Sequence, residues 1–479
     1  MLTKTGLSLS ALLACSGCIA LASPACGSSN TSGFGDGTGM DGGSLDEAGN
    51  PIFGDSGGQK PACKGLQCQQ VMCAGGATTS LTGTAYAPNG TLPLYNVIVY
   101  VPNAPLDPLV EGVTCDKCGS VASGSPVVTA LSDSSGNFKI TNVPAGDNIP
   151  LVLQVGKWRR QVVIPHVEAC KETALTDPNM TRLPKKQSEG HLPHIAVTTG
   201  DFDAMGCLLP KMGVDNSEFG VAANEATKRV IFYQGQGPSM PGITAAQAFW
   251  SDAAQLKKFD VVMLSCEGDE FLNNKPAVPR ASMEDYLTSG GRILGTDFMY
   301  TWERDAFDSV VDPSKHTVNT WFGGAPGDGT GTFDVDTSFP KGLALAQWLS
   351  KVGASTTMGK IDFPVAYSNF DKVNPLVSQR WVHAGANDKI FTYNLPVGAA
   401  PADQCGKSVF LDVHIADPHL PGNDVVNAAF PGKDFDPTKP ETGCLPNLTP
   451  QEKAFIFFLM DLSSCIQPDN GMVNPPPVK

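Results

Sequence analysis

The chain has 479 residues, 14 cysteines and a formal net charge of −14, from 33 Lys+Arg against 47 Asp+Glu. That acidity argues against a nucleic-acid partner, which would want a basic patch, and gives no polybasic arm for anionic lipid. With 51 Gly, 38 Pro and only 17% charged residues, the composition favours loop- and β-rich exported domains over a helical cytosolic enzyme.

Residues 1–26 read as an export signal. Lys4 supplies the positive n-region, and the apolar stretch from Leu7 to Ala22 is too short and too N-terminal for a membrane span. Cys15, Cys18 and Cys26 each follow a small residue, as in a bacterial lipoprotein box. Lipidation at Cys26 is expected, anchoring the chain to a membrane surface. Ordinary cleavage after Ala20-Leu21-Ala22 is the alternative. Ten of the thirty residues from Thr31 to Lys60 are Gly, so 27–62 is expected to be a disordered linker. Its Asp36, Asp41 and Asp46 suit a solvated spacer better than a calcium loop.

Residues 63–185 predict an antiparallel β-sandwich. Alternating runs at 81–86, 96–101, 138–141, 150–155 and 161–164 are punctuated by turns such as Pro88-Asn89-Gly90 and Asp133-Ser-Ser-Gly136. The segments LTGTAYAPNGTLPLYNVIVYV and TALSDSSGNFKITNVPAGDNIPLVLQV resemble the carboxypeptidase regulatory-like domain, a transthyretin-like sandwich. The resemblance implies a non-catalytic stability, spacer or adhesion module, in a fold group that includes carbohydrate binders. No HxxE with a distant His is present, so no carboxypeptidase centre is expected. An insertion at 105–125 carries Cys115-Asp-Lys-Cys118. Without a second pair at zinc-ribbon spacing, these cysteines read as disulfide partners rather than metal ligands.

Residues 191–466 change period. Strands are expected at 194–199, 229–233, 259–264, 292–295 and 408–412. Helices are expected over 202–212, ended by Gly213, and over 282–287, 343–352 and 449–462. Thr449, Pro450 and Glu452 spell a capping box at the start of the last helix. This alternation predicts a doubly wound, mostly parallel α/β sheet. The Gly-rich stretch 323–336 lacks the Lys-Ser/Thr of a phosphate loop and is expected to be a surface loop, and 467–479 a disordered tail. The segments FDVVMLSCEGDE, MEDYLTSGGRILGTDFMYTW and SVFLDVHIAD resemble the class I glutamine amidotransferase-like fold, also used by trehalose-utilisation-like domains. The family's nucleophile elbow follows its fourth strand. Here that place reads Gly295-Thr-Asp297-Phe-Met-Tyr300, with no Cys or Ser, and Ala416 stands where the family's Glu would follow His414.

In such sheets ligands bind beyond the carboxyl ends of the strands. Asp201, Asp203, Cys266, Glu267, Asp269, Asp297 and His414 all follow predicted strands and are the candidate cleft residues. The combined expectation is an exported, lipid-anchored cell-envelope protein, of the outer membrane or cell surface, with a non-catalytic binding or structural role. Carbohydrate or another envelope protein is the expected partner, and no cofactor, metal or nucleic acid is expected. One rival is a hydrolase with Cys266 as nucleophile and His414 as base. The other is a carboxylate-lined calcium or magnesium site. His191 and His194 are expected at the junction of the two parts, and neither they nor His419 reads as a ligand.

Beyond the export segment, eleven cysteines remain. An odd count leaves one thiol, and Cys266, at the end of an apolar strand, is the expected one. Cys63, Cys68, Cys73, Cys115, Cys118, Cys170, Cys207, Cys405, Cys444 and Cys465 are then five bridges, with Cys405–Cys444 and Cys207–Cys465 as the expected pairs in the second part.

Overall fold

The computed structural model describes residues 63–237, 239–307, 329–415 and 444–478. The export segment with Cys26, the linker with its aspartates, the start of the Gly-rich stretch, and Asp417 and His419 lie outside the described residues.

The first seven strands are β1 (Ser80–Thr84), β2 (Ile98–Pro102), β3 (Pro126–Leu131), β4 (Asn137–Thr141), β5 (Gly146–Val155), β6 (Trp158–Val167) and β7 (Glu172–Leu175). They form a three-stranded sheet in the order β4-β1-β7 and a four-stranded sheet in the order β3-β2-β5-β6. The alternation read from the sequence is visible as burial: Phe138 and Ile140 of β4 point inward while Asn137, Lys139 and Thr141 are exposed. All pairs are antiparallel except β1 with β7, which run parallel because the chain returns beside β1 after crossing from the other sheet.

Eleven strands make the second sheet: β8 (Ile195–Thr198), β9 (Phe219–Val221), β10 (Val230–Gln234), β11 (Thr244–Ala245), β12 (Val261–Leu264), β13 (Arg292–Thr296), β14 (Gly329–Val335), β15 (Lys360–Ala366), β16 (Ser378–Ala384), β17 (Asn387–Leu395) and β18 (Gly406–Leu411). Strands β9, β11, β10, β8, β12, β13 and β18 run parallel. Every residue of β8, β12, β13 and β18 is buried, as expected of strands covered on both faces. Beyond β18 the sheet continues antiparallel through β17, β16, β14 and β15. The sheet is therefore mixed rather than mostly parallel throughout. Part of the expected surface loop at 323–336 is β14, a paired strand of this extension.

The last helix, Pro450–Ser463, carries the expected capping box: Thr449 Oγ1 accepts from the Glu452 N–H at 3.3 Å, and Glu452 Oε2 accepts from the Thr449 N–H at 2.7 Å. Phe455 to Leu459 are all buried, so the middle of this helix is apolar all round. It lies between the two parts. Phe457 stacks on Tyr95 of the sandwich at 5.8 Å, and Phe458 meets Trp381 of β16 edge-on at 5.3 Å. One hydrophobic core thus runs from Leu81 and Val99 to Trp348 and Leu459, and the described residues from Cys63 onward form one compact unit. Gly213, in the left-handed region at φ 105°, ends the helix Met205–Met212. A Cβ there would lie 2.2 Å from the Asn89 backbone, because the Pro88-Asn89-Gly90 turn docks on this helix end. The Asn89 N–H donates to the Met212 carbonyl at 2.8 Å. His191 sits at the junction, exchanging backbone hydrogen bonds with Arg159, and His194 stacks on Phe259.

Five disulfides form and Cys266 is the free, buried thiol among the described residues. The expected pairs Cys405–Cys444 and Cys207–Cys465 are wrong. Cys207 pairs with Cys444, and the two cysteines of the 105–125 insertion pair as Cys115–Cys405 and Cys118–Cys465. The insertion folds over the end of the second sheet, where the Cys118 N–H donates to the Ile466 carbonyl at 3.1 Å. Only Cys63–Cys68 and Cys73–Cys170 lie within the sandwich part.

The expected tail is also packed. Asp469 is buried and accepts from Lys341, Lys407 and Thr392, and the Thr129 hydroxyl of β3 donates to the Pro476 carbonyl. Composition alone made 467–478 look disordered, but this carboxylate and two buried lysines fix it.

Candidate functional site

Four of the predicted cleft residues converge at the carboxyl ends of the central strands. Asp203 follows β8, Cys266 follows β12, Asp297 follows β13 and His414 follows β18, so four adjacent parallel strands deliver them to one place. All four are essentially buried. Asp201 and Asp269 are exposed and do not join them. Glu267 points elsewhere, forming a buried ion pair with Lys275 at 2.6 Å.

The cluster is knitted by hydrogen bonds. Asp203 Oδ2 accepts from the Cys266 N–H at 3.1 Å and from the Thr296 hydroxyl. Its Oδ1 accepts from the Ile415 N–H at 2.8 Å and faces His414 Nδ1 at 3.2 Å. The Cys266 thiol donates to Asp297 Oδ2 at 3.1 Å. His414 Nε2 lies 3.1 Å from the Tyr367 hydroxyl and 3.7 Å from Asp297 Oδ2. Three residues that sequence reasoning missed complete the shell. Asn369 Nδ2 donates to Asp297 Oδ1 at 2.8 Å and to Asp412 Oδ1 at 2.6 Å, and Lys389 donates to the Tyr367 carbonyl. Asp412 was within reach of the sequence, two residues before His414 at the end of a predicted strand. Asn369 and Lys389 were not, because they come from the antiparallel extension.

Asp297 sits at a sharp strand-to-helix turn. Its φ is 38°, in the left-handed region, between β13 and the helix Tyr300–Phe307. Such a conformation costs a non-glycine residue about 1–3 kcal/mol. The turn thus presents a carboxylate at its tip.

The electrostatics oppose a thiolate. Burial pushes the Cys266 thiol up, and the carboxylates of Asp297 and Asp203 push it further. Burial also raises Asp297, and His414, the thiol and Asn369 only partly offset it. Asp203 is held below the usual carboxylate range: burial works against this, but His414, Thr296 and the Ile415 amide outweigh it. His414 is raised, its burial outweighed by Asp203, Asp297 and Asp412. Burial pushes Asp412 up to about 7, against Lys389. A nucleophilic cysteine needs positive surroundings. Cys266 has two carboxylates and no exposed surface.

Glu303, on the neighbouring helix, is buried and accepts from the Tyr393 and Ser408 hydroxyls. Burial raises its carboxyl to about 7, and the two hydroxyls oppose the rise. The folded chain therefore holds a proton that the unfolded chain releases near 4.5. This contribution to stability is full below that value and is lost as pH rises through about 7. Glu303→Gln is expected to recover about 3 kcal/mol at neutral pH and nothing in acid. Urea unfolding at pH 4 and pH 8 checks it, and an equal effect at both would refute the assignment.

A second feature lies between the sandwich and the α/β part. A groove of about 660 Å³ is lined by Thr84, Tyr86, Asn89, Asn137, Lys351 and Lys453, among others. Its lining includes three lysines and no carboxylate, although the chain as a whole carries a net charge of −14. Lys211 is paired with Glu452 at 2.6 Å, Lys453 donates to the Val352 carbonyl at 2.8 Å, and Lys351 is exposed. Among the described residues, no helix is long and apolar enough to cross a membrane.

No family model and no curated protein matches the chain. A cohesin–X-dockerin complex from Acetivibrio cellulolyticus is similar over 31% of this chain and 79% of its own, at 13% identity and a TM-score of 0.15. A cytoplasmic protein from Salmonella typhimurium is similar over 58% of this chain and all of its own, at 10% identity and a TM-score of 0.29. A putative ThuA-like protein from Bacteroides uniformis is similar over 46% of this chain and 80% of its own, at 9% identity and a TM-score of 0.22. At these scores the likenesses identify no family.

Proposed function

We propose that the chain is an exported cell-envelope protein that binds an acidic, hydroxyl-rich carbohydrate in the groove between its sandwich and its α/β part, with no hydrolytic role. The observation that carries this reading is the groove lining. Threonine hydroxyls and asparagine amides suit sugar hydroxyls, Tyr86 and Leu92 suit the apolar faces of sugar rings, and the exposed Lys351 suits a carboxylate or sulfate. The volume falls within the range of small-ligand sites. Five disulfides fit an oxidising compartment. Lipidation at Cys26 would hold the groove at a membrane surface.

The Cys266–His414 hydrolase reading is opposed by the buried, carboxylate-flanked thiol. Its sulfur donates to Asp297 rather than to a histidine.

A glycan array probed with the full exported chain tests the proposal. Signals concentrated on uronic-acid or sulfated glycans are expected, and a flat array would overturn it. Lys351→Glu reverses an exposed groove charge without touching the core. About a tenfold loss of affinity is expected, equivalent to about 1.4 kcal/mol, with an unchanged melting temperature. Unchanged affinity would remove the groove as the binding site.

A further inference from the structure

We propose that Asp203, Cys266 and His414 form a buried site with three protein donors for one divalent cation of the zinc class. The proposal is independent of the groove.

The geometry carries it first. One donor atom each from Asp203, Cys266 and His414 lies within 4.8 Å of the other two, and all three residues are buried. His414 Nδ1 to Asp203 Oδ1 is 3.2 Å, and Cys266 Sγ to Asp297 Oδ2 is 3.1 Å. Zinc holds sulfur at about 2.3 Å and nitrogen or oxygen at about 2.0–2.1 Å in a tetrahedron, which places donors about 3.3–3.6 Å apart. The His414–Asp203 pair is within a few tenths of an ångström of that spacing, and Cys266 Sγ lies within 4.8 Å of a donor atom of each. With Nδ1 on the ion, Nε2 is left to donate to the Tyr367 hydroxyl at 3.1 Å, which fixes ring and tautomer as outer partners of metal-bound histidines do.

The donor chemistry chooses the ion. A thiolate and an imidazole beside carboxylates suit zinc, whereas calcium and magnesium take oxygen ligands. This separates the site from the oxygen-only cluster that the row of acidic residues suggests.

The charges facing the site come from every element around it. Asp203, Asp297 and Asp412 are acidic and buried, and His414 and Lys389 are the basic groups that face them. His414 and Lys389 offset two of the three carboxylates, which leaves one buried negative charge for a proton or a further cation to meet. A divalent ion that displaces the thiol proton meets that need.

Asn369, fully buried, holds the outer wall of the cluster: its Nδ2 donates to Asp297 and Asp412.

The test uses the full chain with its disulfides intact, unfolded in guanidinium and refolded with one equivalent of cobalt(II) or zinc. One metal per chain after extensive dialysis is expected. The cobalt form should show the near-ultraviolet sulfur-to-cobalt band and a tetrahedral visible spectrum. Cys266→Ser should abolish the sulfur band and cut retention at least tenfold. Asp203→Asn should cut retention to a similar degree. Refolded wild-type chain that retains no metal, or a cobalt spectrum without the sulfur band, overturns the proposal. Retention by Cys266→Ser equal to wild type also overturns it, since the metal would then sit elsewhere. Should a variant fail to fold, the wild-type cobalt spectrum decides alone.

Discussion

Replacing Asp469 by alanine is expected to destabilise the protein by about 3–5 kcal/mol. This residue sits where composition predicts a disordered tail, so the expectation runs against the sequence. It rests on a closed ring of four charges. Lys341 contacts Asp461 at 2.7 Å and Asp469 at 3.1 Å. Lys407 contacts Asp461 at 2.6 Å and Asp469 at 2.5 Å. All four side chains are at most 4% exposed, and Thr392 adds a hydroxyl to Asp469. Assembling such a ring gains little net energy, because each ion is first stripped of water. Removing one carboxylate is different: two buried ammonium groups are left sharing the other. Asp469→Asn keeps the shape and removes only the charge, so most of the loss is expected from it as well. The pH sign follows. Burial would raise the Asp469 carboxyl, but Lys407 and Lys341 prevail and hold it far below the carboxylate range. Its contribution is present above about pH 4, the value of a free aspartate, and fades as the medium becomes more acid. Guanidinium unfolding of wild type and Asp469→Asn at pH 7 and pH 3 should show the gap narrowing in acid. A mutant as stable as wild type at pH 7 would dismiss the ring as a tether for the C-terminal segment.

What the sequence revealed and what it hid divide along a physical line. Local signals were legible. Alternation found the inward-facing Phe138 and Ile140, the capping box at Thr449 and Glu452 fixed the start of the last helix, and Gly213 marked a helix end. The rule that parallel strands present their carboxyl ends to one crevice was enough to collect Asp203, Cys266, Asp297 and His414 before any coordinates. It also swept in Asp201 and Asp269, because it says nothing about which way a side chain turns once the strand has ended. Long-range pairings were hidden. Asn369 reaches the cluster from the loop after β15, whose strand was not recognised, as its apolar residues flank Asp362 and Pro364 without the pattern of a covered parallel strand. Asp469 lies among Pro, Asn and Gly residues, and nothing local announces two buried lysines more than sixty residues away. The disulfide partners were hidden for the same reason: the count of cysteines gives the odd thiol, whereas connectivity depends on where an insertion folds.

Removing the bridge Cys118–Cys465 is expected to cost about 4 kcal/mol, and removing Cys115–Cys405 with it about 10 kcal/mol, as upper values in the chain-entropy view. The two bridges interlock, since the cysteines run 115, 118, 405, 465 along the chain and pair first with third and second with fourth. Sequence separations are 290 for Cys115–Cys405 and 347 for Cys118–Cys465. While the first is closed, the second constrains only the short step from Cys115 to Cys118 plus the stretch from Cys405 to Cys465, a loop of about 60 residues. The entropy of that smaller loop is what a single removal releases. With both gone, the insertion at 105–125 is no longer tied to the second sheet, and the large loop opens as well. The second loss should therefore exceed the first, and the two single removals should sum to less than the double. Buried contacts hold the parts together in any case: Trp348 Nε1 donates to the Pro93 carbonyl at 2.8 Å and Phe457 stacks on Tyr95. The double variant is thus expected to fold in mild conditions but to unfold at much lower denaturant. Serine pairs at 118/465, at 115/405 and at all four positions, each unfolded in guanidinium at pH 7, provide the comparison. Strict additivity of the three losses would show that the bridges constrain separate loops, contrary to their interlocking.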